Sequence, residues 1–353
     1  MVIDLSSQPV LLNVGVFVVA AVTVWRSGVG LASYSDLIAT RTGIGRVFAG
    51  VVLLGVATSL PELATTVSAA SAGAARLAGS NLLGGVAMQV ALLSVVDVFA
   101  DRNRPLTVFT PNSALLLSGV FLMMAVAMTS VAIIVPAVVV GGASLWSWGL
   151  AALYVLSLVS VRRCERSPGW EPVGEVAAPP KESEEHRQQL ERRNAGMGAW
   201  ALGARFAAGA MGVIVGGYFV ATSGDALADQ TGVGESVVGA VLVAITTSLP
   251  ELSTTISAAR MGAYALAVGN ILGTNTLELA LFLPADLAYR GNVFLPLAEK
   301  ELFLAQLGIV VTAVYLWGVI ERRNRTIGPM GTDSVIVLVV YLTGMVAFVG
   351  FPE

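Results

Sequence analysis

Charge is what this chain of 353 residues has least of. Asp, Glu, Lys and Arg together make up 12% of it, against about 25% in an average soluble protein. Apolar residues account for 56%, and so few polar groups cannot cover the surface of a soluble globule of this size. The same hydrophobicity excludes a disordered chain. Cysteine is nearly absent as well. The single Cys164 excludes an intrachain disulfide and a thiolate metal cluster. The single histidine, His186, stands among Glu184, Glu185 and Arg187 and reads as a solvated loop residue. No apolar run offers a Ser–His pair or an aspartate pair, so intramembrane hydrolysis lacks its residues and no enzyme, catalytic residue or cofactor is expected. A net charge of −3, with no basic groove or zinc-finger spacing, leaves nothing for nucleic acid to bind.

What is present is a series of long apolar runs, each near the roughly 20 residues that a spanning helix needs. They fall at 9–33, 45–70, 77–99, 112–139 and 143–161, then at 198–223, 234–259, 265–288, 300–320 and 333–351. The first, beginning near Val10, is long enough to be a span, so no cleavable signal is expected. The stretch 162–197 separates the two groups. It interleaves arginines and glutamates, is interrupted by Pro179-Pro180, and reads as a solvated linker with a short helix at 181–193. The fold expected is all-α and integral to the membrane, with ten transmembrane helices and the lipid bilayer as solvent. Its parts are 1–161, the linker 162–197, and 198–353.

Basic residues set the orientation. With the first end outside, inside loops collect Arg41, Arg46, Arg102, Arg104, the linker basics, Arg205, Arg260, Arg322, Arg323 and Arg325, and outside loops only Arg76, Arg290 and Lys300. A multi-pass protein of the plasma or inner membrane is expected, with both termini outside and the linker cytoplasmic.

An internal repeat organises these spans. TSLPELATTVSAA at 58–70 returns as TSLPELSTTISAA at 247–259, and Glu62 and Glu251 stand 189 residues apart, as do Asn81 and Asn270. The match runs without a gap from 42–93 onto 231–282, with about half of the positions identical. Five spans per half is an odd number, so the halves insert in opposite senses. Two inverted five-helix repeats point to a secondary transporter with its site at the midplane where the repeats meet.

Each repeat sets Thr-Ser-Leu-Pro-Glu inside an apolar run. Pro61 and Pro250 lack an N–H and free backbone carbonyls at membrane depth. Glu62 and Glu251 follow directly, and an ionisable group placed there is functional by default. Carboxylates, hydroxyls and carbonyls are hard oxygen ligands suited to Ca²⁺ or Na⁺. Ser59 and Ser248, three residues ahead of these glutamates, also fit capping boxes. The second half of the repeat is Gly-rich, with Gly84 and Gly273 placed for close helix approach. It carries Gln89 and Glu278 at equivalent positions. Glu62, Glu251, Glu278 and Gln89 form the candidate centre, where three carboxylates cannot all stay ionised without cations or protons. Asn81 and Asn270 fit interhelical hydrogen bonding as well as ligation.

With ATSLPEL…GSNLLGGVAMQ and TTSLPEL…GNILGTNTLE, the chain resembles the calcium/cation antiporter superfamily, which includes the Na⁺/Ca²⁺ exchangers. The resemblance implies two long, loosely attached helices, here the first and sixth runs, sliding against a core of eight. It implies that Glu62 and Glu251, with the carbonyls of Thr58 and Thr247, bind Ca²⁺. It also implies that the hydroxyls of Thr58, Thr247 and Thr274, with the carbonyls of Gly55 and Ala244, serve Na⁺. Ser59, Ser248, Asn81, Asn270 and Asn275 are expected behind these ligands. Gln89 and Glu278 stand where exchangers usually carry Asn and Asp, and Gly85 where they carry Ser. The activity implied is Ca²⁺ exchange for Na⁺ by alternating access. The departures keep Ca²⁺/H⁺ exchange open on the same fold, and a passive cation channel fits the inverted repeats less well. Inorganic cations are the partners implied.

Overall fold

The computed structural model describes residues 8–100, 104–110, 112–136, 138–170, 181–231, 248–289 and 291–350. Helix dominates. A long α1 (Val10–Thr42) is followed by α2 (Arg46–Ala49), which continues through one π-helical turn at Gly50–Leu54 into α3 (Gly55–Thr58). Next come α4 (Leu60–Ser71), α5 (Ala75–Val96), α6 (Ser113–Ile134) and α7 (Leu145–Arg166). The linker contains α8 (Lys181–Asn194), on the expected short helix, and leads to a second long helix, α9 (Ala199–Thr231). The remaining helices are α10 (Leu249–Arg260), α11 (Tyr264–Ala280), α12 (Phe282–Tyr289), α13 (Glu299–Glu321) and α14 (Thr332–Val349). Two short antiparallel hairpins, β1–β2 (Val139–Val140 with Ala143–Ser144) and β3–β4 (Thr326–Ile327 with Met330–Gly331), precede α7 and α14.

Among the described residues, eight helical units are long and apolar enough to cross a membrane, and nine if the bent pair 46–58 and 60–71 counts as one span. The expected span at 234–259 lies outside the described residues up to position 247.

Several boundaries differ from the sequence reading, among them the end of α9, expected at 223 and found at Thr231. The helix expected to end at residue 33 runs on to Thr42, because Ser35 and Asp36, polar enough to read as a loop, are buried. Asp36 accepts a bond from Arg46 at 2.6 Å, which ties the end of α1 to the start of α2. The apolar run 112–139 stops as a helix at Ile134, since Pro136 and the β1–β2 hairpin follow. At the linker, helix α7 continues to Arg166 and brings Glu165 onto α2. Its carboxylate accepts from the N–H groups of Val47 and Phe48 at 2.9 and 3.0 Å, the free donors of a helix start.

Helices α1 and α9 pack mainly on each other, and α1 also lies along α10. Their outer faces expose Leu11, Val19, Trp200 and Met211, apolar surface suited to lipid. Helix α11 is the most enclosed and packs on α2, the π turn, α5, α6 and α10. Gly273 makes one of these contacts feasible, because a Cβ there would fall 2.4 Å from the Cα of Val51. Gly84, expected to act likewise, does not, since its nearest neighbour would be 4.0 Å away.

A pair of buried aspartates holds the hairpins. Asp286 accepts from Ser144 N (2.6 Å), Ser147 Oγ (2.7 Å) and Val293 N (2.8 Å). Asp97, the matching residue in the first repeat, accepts from Gly331 N at 2.6 Å and from Leu106 N. Each half therefore clamps the hairpin of the other. Both residues are fully buried, and removing the acceptor strands donors that no water reaches. Asp286→Ala is expected to cost about 3 kcal/mol, read as a lowered unfolding midpoint in detergent, with Asp286→Asn intermediate.

Candidate functional site

The site begins at a break in the first repeat and at the matching helix start in the second. At Ser59 the backbone leaves the helical region (φ −83°, ψ 2°) and α4 departs at 49° from the preceding helix. Ser248 has nearly the same geometry (φ −90°, ψ 10°) at the start of α10. Pro61 and Pro250 occupy the first turns, where a missing N–H costs a helix nothing. The capping boxes fitted to the sequence are not formed. Neither serine side chain caps its helix, and Ser59 Oγ is buried without a partner. Glu62 and Glu251 stand in the first turns of α4 and α10. Each thus lies at the positive end of a helix.

Around these two points lies a set of buried oxygens with nothing to bind. Glu251 is fully buried and neither carboxylate oxygen has a hydrogen-bond partner, although the Thr58 hydroxyl lies beside it. Glu278 Oε1 accepts from Gln89 Nε2, while Glu278 Oε2 and Gln89 Oε1 remain unpartnered. Glu62 is partly exposed as a residue, yet its Oε2 is buried and unpartnered. Thr274 Oγ1 is in the same condition, and Gly55 packs against it, with a Cβ at 55 falling 3.3 Å from that oxygen. The three carboxylates are close enough to repel one another.

Two contacts fix where this cluster sits. Gln89 and Glu278 are repeat equivalents, and so are Val86 and Asn275, whose Nδ2 donates to Val86 O at 3.3 Å. The cluster therefore lies where equivalent positions of the two sequence repeats meet.

Uncompensated carboxylates at this burial cost several kcal/mol, and a hard cation would compensate them. Among the described residues, no group of three or more His, Cys, Asp or Glu side chains is arranged to hold a metal ion. A ligand set here has to draw on hydroxyl, amide and carbonyl oxygens as well. Thr247 and Ala244 lie outside the described residues.

The asparagines divide. Asn270 donates to Thr254 and Thr255 at 3.0 and 3.1 Å, bridging α10 and α11, the interhelical role open to it from sequence. Asn81, expected behind the site, is exposed. The same asymmetry runs along the first half of each repeat. Thr65 and Ser68 of α4 are exposed, whereas their equivalents Thr254 and Ser257 of α10 are buried under α1.

One relation escaped the sequence reading. A Cβ at Gly85 would fall 2.9 Å from Glu278 Oε2. The glutamate, longer by a methylene than the family's aspartate, reaches into the space that a side chain at 85 would occupy. The two departures are thus in contact with each other.

Comparison with known proteins places this geometry. A family model for the sodium/calcium exchanger protein matches residues 12–161 and 202–350. The chain belongs to that family. Among curated relatives, the sodium/calcium exchanger MaX1 of Methanosarcina acetivorans is 34% identical over 104 residues, 30% of this chain and 28% of MaX1. This chain thus aligns with little more than a quarter of MaX1. The inner membrane protein YrbG of Escherichia coli is 25% identical over 330 residues, 93% of this chain and 95% of YrbG. Solved structures of the sodium-calcium exchanger NCX_Mj share the fold. One soaked with 2.5 mM Na⁺ and 0.1 mM Sr²⁺ has a TM-score of 0.68 at 18% identity, covering 96% of this chain and 99% of that one.

In this exchanger-family chain the unpartnered carboxylate of Glu251 is the most completely buried of the three. Glu251→Gln should abolish calorimetric Ca²⁺ binding to the purified protein, because one buried charge is lost from a hard-ligand set. The unfolding midpoint should stay unchanged or rise as carboxylate repulsion is relieved. Unaltered Ca²⁺ affinity would remove the site.

Proposed function

We propose that the protein is a secondary active cation antiporter that exchanges Ca²⁺ for Na⁺ by alternating access. Its ion site is made by Glu62, Glu251, Glu278 and Gln89, with oxygens of Thr58, Thr247, Thr274, Gly55 and Ala244. The observation that carries this reading is the convergence, where equivalent positions of the two repeats meet, of buried oxygens from both repeats that have no protein partner. Three crowded carboxylates make the empty centre repulsive, so a return without a counter-ion is disfavoured. That coupling is what distinguishes an antiporter from a channel.

The architecture proposed is ten transmembrane helices in two inverted repeats, 1–161 and 198–353, joined by a cytoplasmic linker at 162–197, with both termini outside. In that orientation α4 lies in the outer half of the membrane and α10 in the inner half. The exposed Thr65, Ser68 and Asn81, set against the buried Thr254, Ser257 and Asn270, support an outward-accessible conformation. Displacement of the α1–α9 pair would uncover α10 and cover α4 in exchange. Cysteines at Ser68 and near Ala226, at the exposed Thr231, should react with an impermeant reagent from outside only, and one near Glu184 from inside only. Reaction of 184 and 231 from one side would overturn the inverted arrangement.

Proteoliposomes test the transport. Ca²⁺ uptake driven by an outward Na⁺ gradient is the expected result, and uptake driven solely by a pH gradient would replace Na⁺ with H⁺. The second reading has one specific support, the Gly85–Glu278 pair, which removes a hydroxyl ligand from the first repeat and puts a carboxylate in its place. Gly85→Ser alone should push Glu278 off Gln89 and reduce Ca²⁺ transport about tenfold or more, as expected for about 1.4 kcal/mol of lost coordination. Gly85→Ser with Glu278→Asp should recover transport and strengthen its Na⁺ dependence. Equal activities of the single and double variants would show the two positions to be uncoupled.

A further inference from the structure

The two hairpins are built alike except at one place. Ser144 N and Gly331 N make the same bond, to Asp286 and Asp97 respectively, so the residues two further on, Trp146 and Asp333, occupy equivalent positions. In the first hairpin the indoles close the structure. Trp146 Nε1 donates to Val135 O at 2.8 Å and Trp148 Nε1 to Val140 O at 3.0 Å. In the second hairpin no indole does this, and a cavity of about 120 Å³ opens between the end of α13 and the start of α14. Trp317 and Ile336 line its apolar side, and Glu321, Arg323, Arg325 and Asp333 its polar side.

The charges in this cavity are of both signs and incompletely paired. Glu321 pairs with Arg323 at 2.7 Å. Among the described residues Arg325 forms no ion pair, and Asp333 Oδ2 is buried without a hydrogen-bond partner. Asp333 is seated there by design of the backbone: a Cβ on Gly318 would lie 2.1 Å from its Oδ2. Asp97 cannot serve it, since its oxygens already take the N–H groups of Leu106 and Gly331. The cavity lies where two apolar spans end, with Trp317 half exposed one turn before that end. Indole rings settle at headgroup depth.

We propose that this cavity binds the headgroup of a phospholipid bearing a primary ammonium, of the phosphatidylethanolamine type. The ammonium donates to the Asp333 carboxylate, whose side chain turns on binding to bring Oδ2 away from Gly318 and into the cavity. The phosphate oxygens accept from Arg325, a charge-assisted contact that a guanidinium makes in two directions. The acyl chains leave past Trp317 and Ile336. A quaternary ammonium has no N–H for Asp333, and a glycerol headgroup brings no cation, so phosphatidylcholine and phosphatidylglycerol fit less well. None of these residues belongs to the ion site, so the proposal stands apart from the transport reading.

The purified full-length protein in detergent is titrated with dioleoyl phosphatidylethanolamine, phosphatidylcholine or phosphatidylglycerol, and the unfolding midpoint is read. A saturable rise with phosphatidylethanolamine is expected, with half-saturation about tenfold below that of the other two. Asp333→Asn should erase this preference. Arg325→Gln, on the exposed rim, should weaken phosphatidylethanolamine binding by about the same factor while leaving the lipid-free midpoint in place. Should Asp333→Asn fail to fold, Arg325→Gln decides alone. Equal half-saturation for the three lipids, or an unchanged value in Arg325→Gln, overturns the proposal. So does free phosphoethanolamine competing as well as the lipid, which would assign the cavity to a soluble ligand.

Discussion

Everything central in this molecule depends on buried carboxylate oxygens that the protein leaves without partners. A charge in such a place is costly unless something compensates it, and the fold is arranged to keep the compensation from coming from within. The Ser59 hydroxyl is uncommitted at its helix break, and Gln89 is the one side-chain amide on Glu278 among the described residues. The prolines stop the helices without supplying donors. The consequence is a centre whose energy depends on what enters it, which is the requirement for coupling one ion to another.

The surrounding helices serve that centre by rigidity on one side and looseness on the other. Helix α11 is held by glycine-mediated contact with the first broken helix, by Asn270 on α10, and by its place among α2, α5 and α6. The long pair α1–α9 is bound chiefly to itself and to α10. Burial of α10 beneath α1, with α4 left open, follows from this unequal attachment.

The duplication was legible because proline, glutamate and threonine at fixed spacing carry the chemistry, and segments 189 residues apart that differ at two of thirteen positions leave no doubt about register. The long first helix was legible only in part, since Asp36 reads as a loop residue until Arg46 is seen to pair with it. The capping boxes, which the sequence offered beside ion binding, are not formed, because the spacing that lets a serine cap a helix does not by itself make it do so. The aspartate clasps were invisible for another reason. Asp97 and Asp286 keep the offset, but their neighbours diverge, and the hairpins they hold are shifted by two residues relative to it. The Gly85–Glu278 relation could not be read at all, because it joins residues far apart in sequence through shape rather than type.

A duplicated chain supplies its own control. Where both copies keep a residue and its contacts, as at the clasps, the feature is needed to build the fold twice. Where they part, architecture is no longer an explanation, because the other copy folds without it. Gln89 against Glu278, Gly85 against Thr274, and Trp146 against Asp333 are such places. Gln89 and Glu278 touch, and two identical carboxylates there would face each other at close range. An amide at one of the two positions turns that repulsion into a hydrogen bond, while Glu62 and Glu251, also repeat equivalents, each keep a carboxylate nearby. The asymmetry at 89 and 278 thus limits the crowding of carboxylates that a duplicated sequence would otherwise bring together.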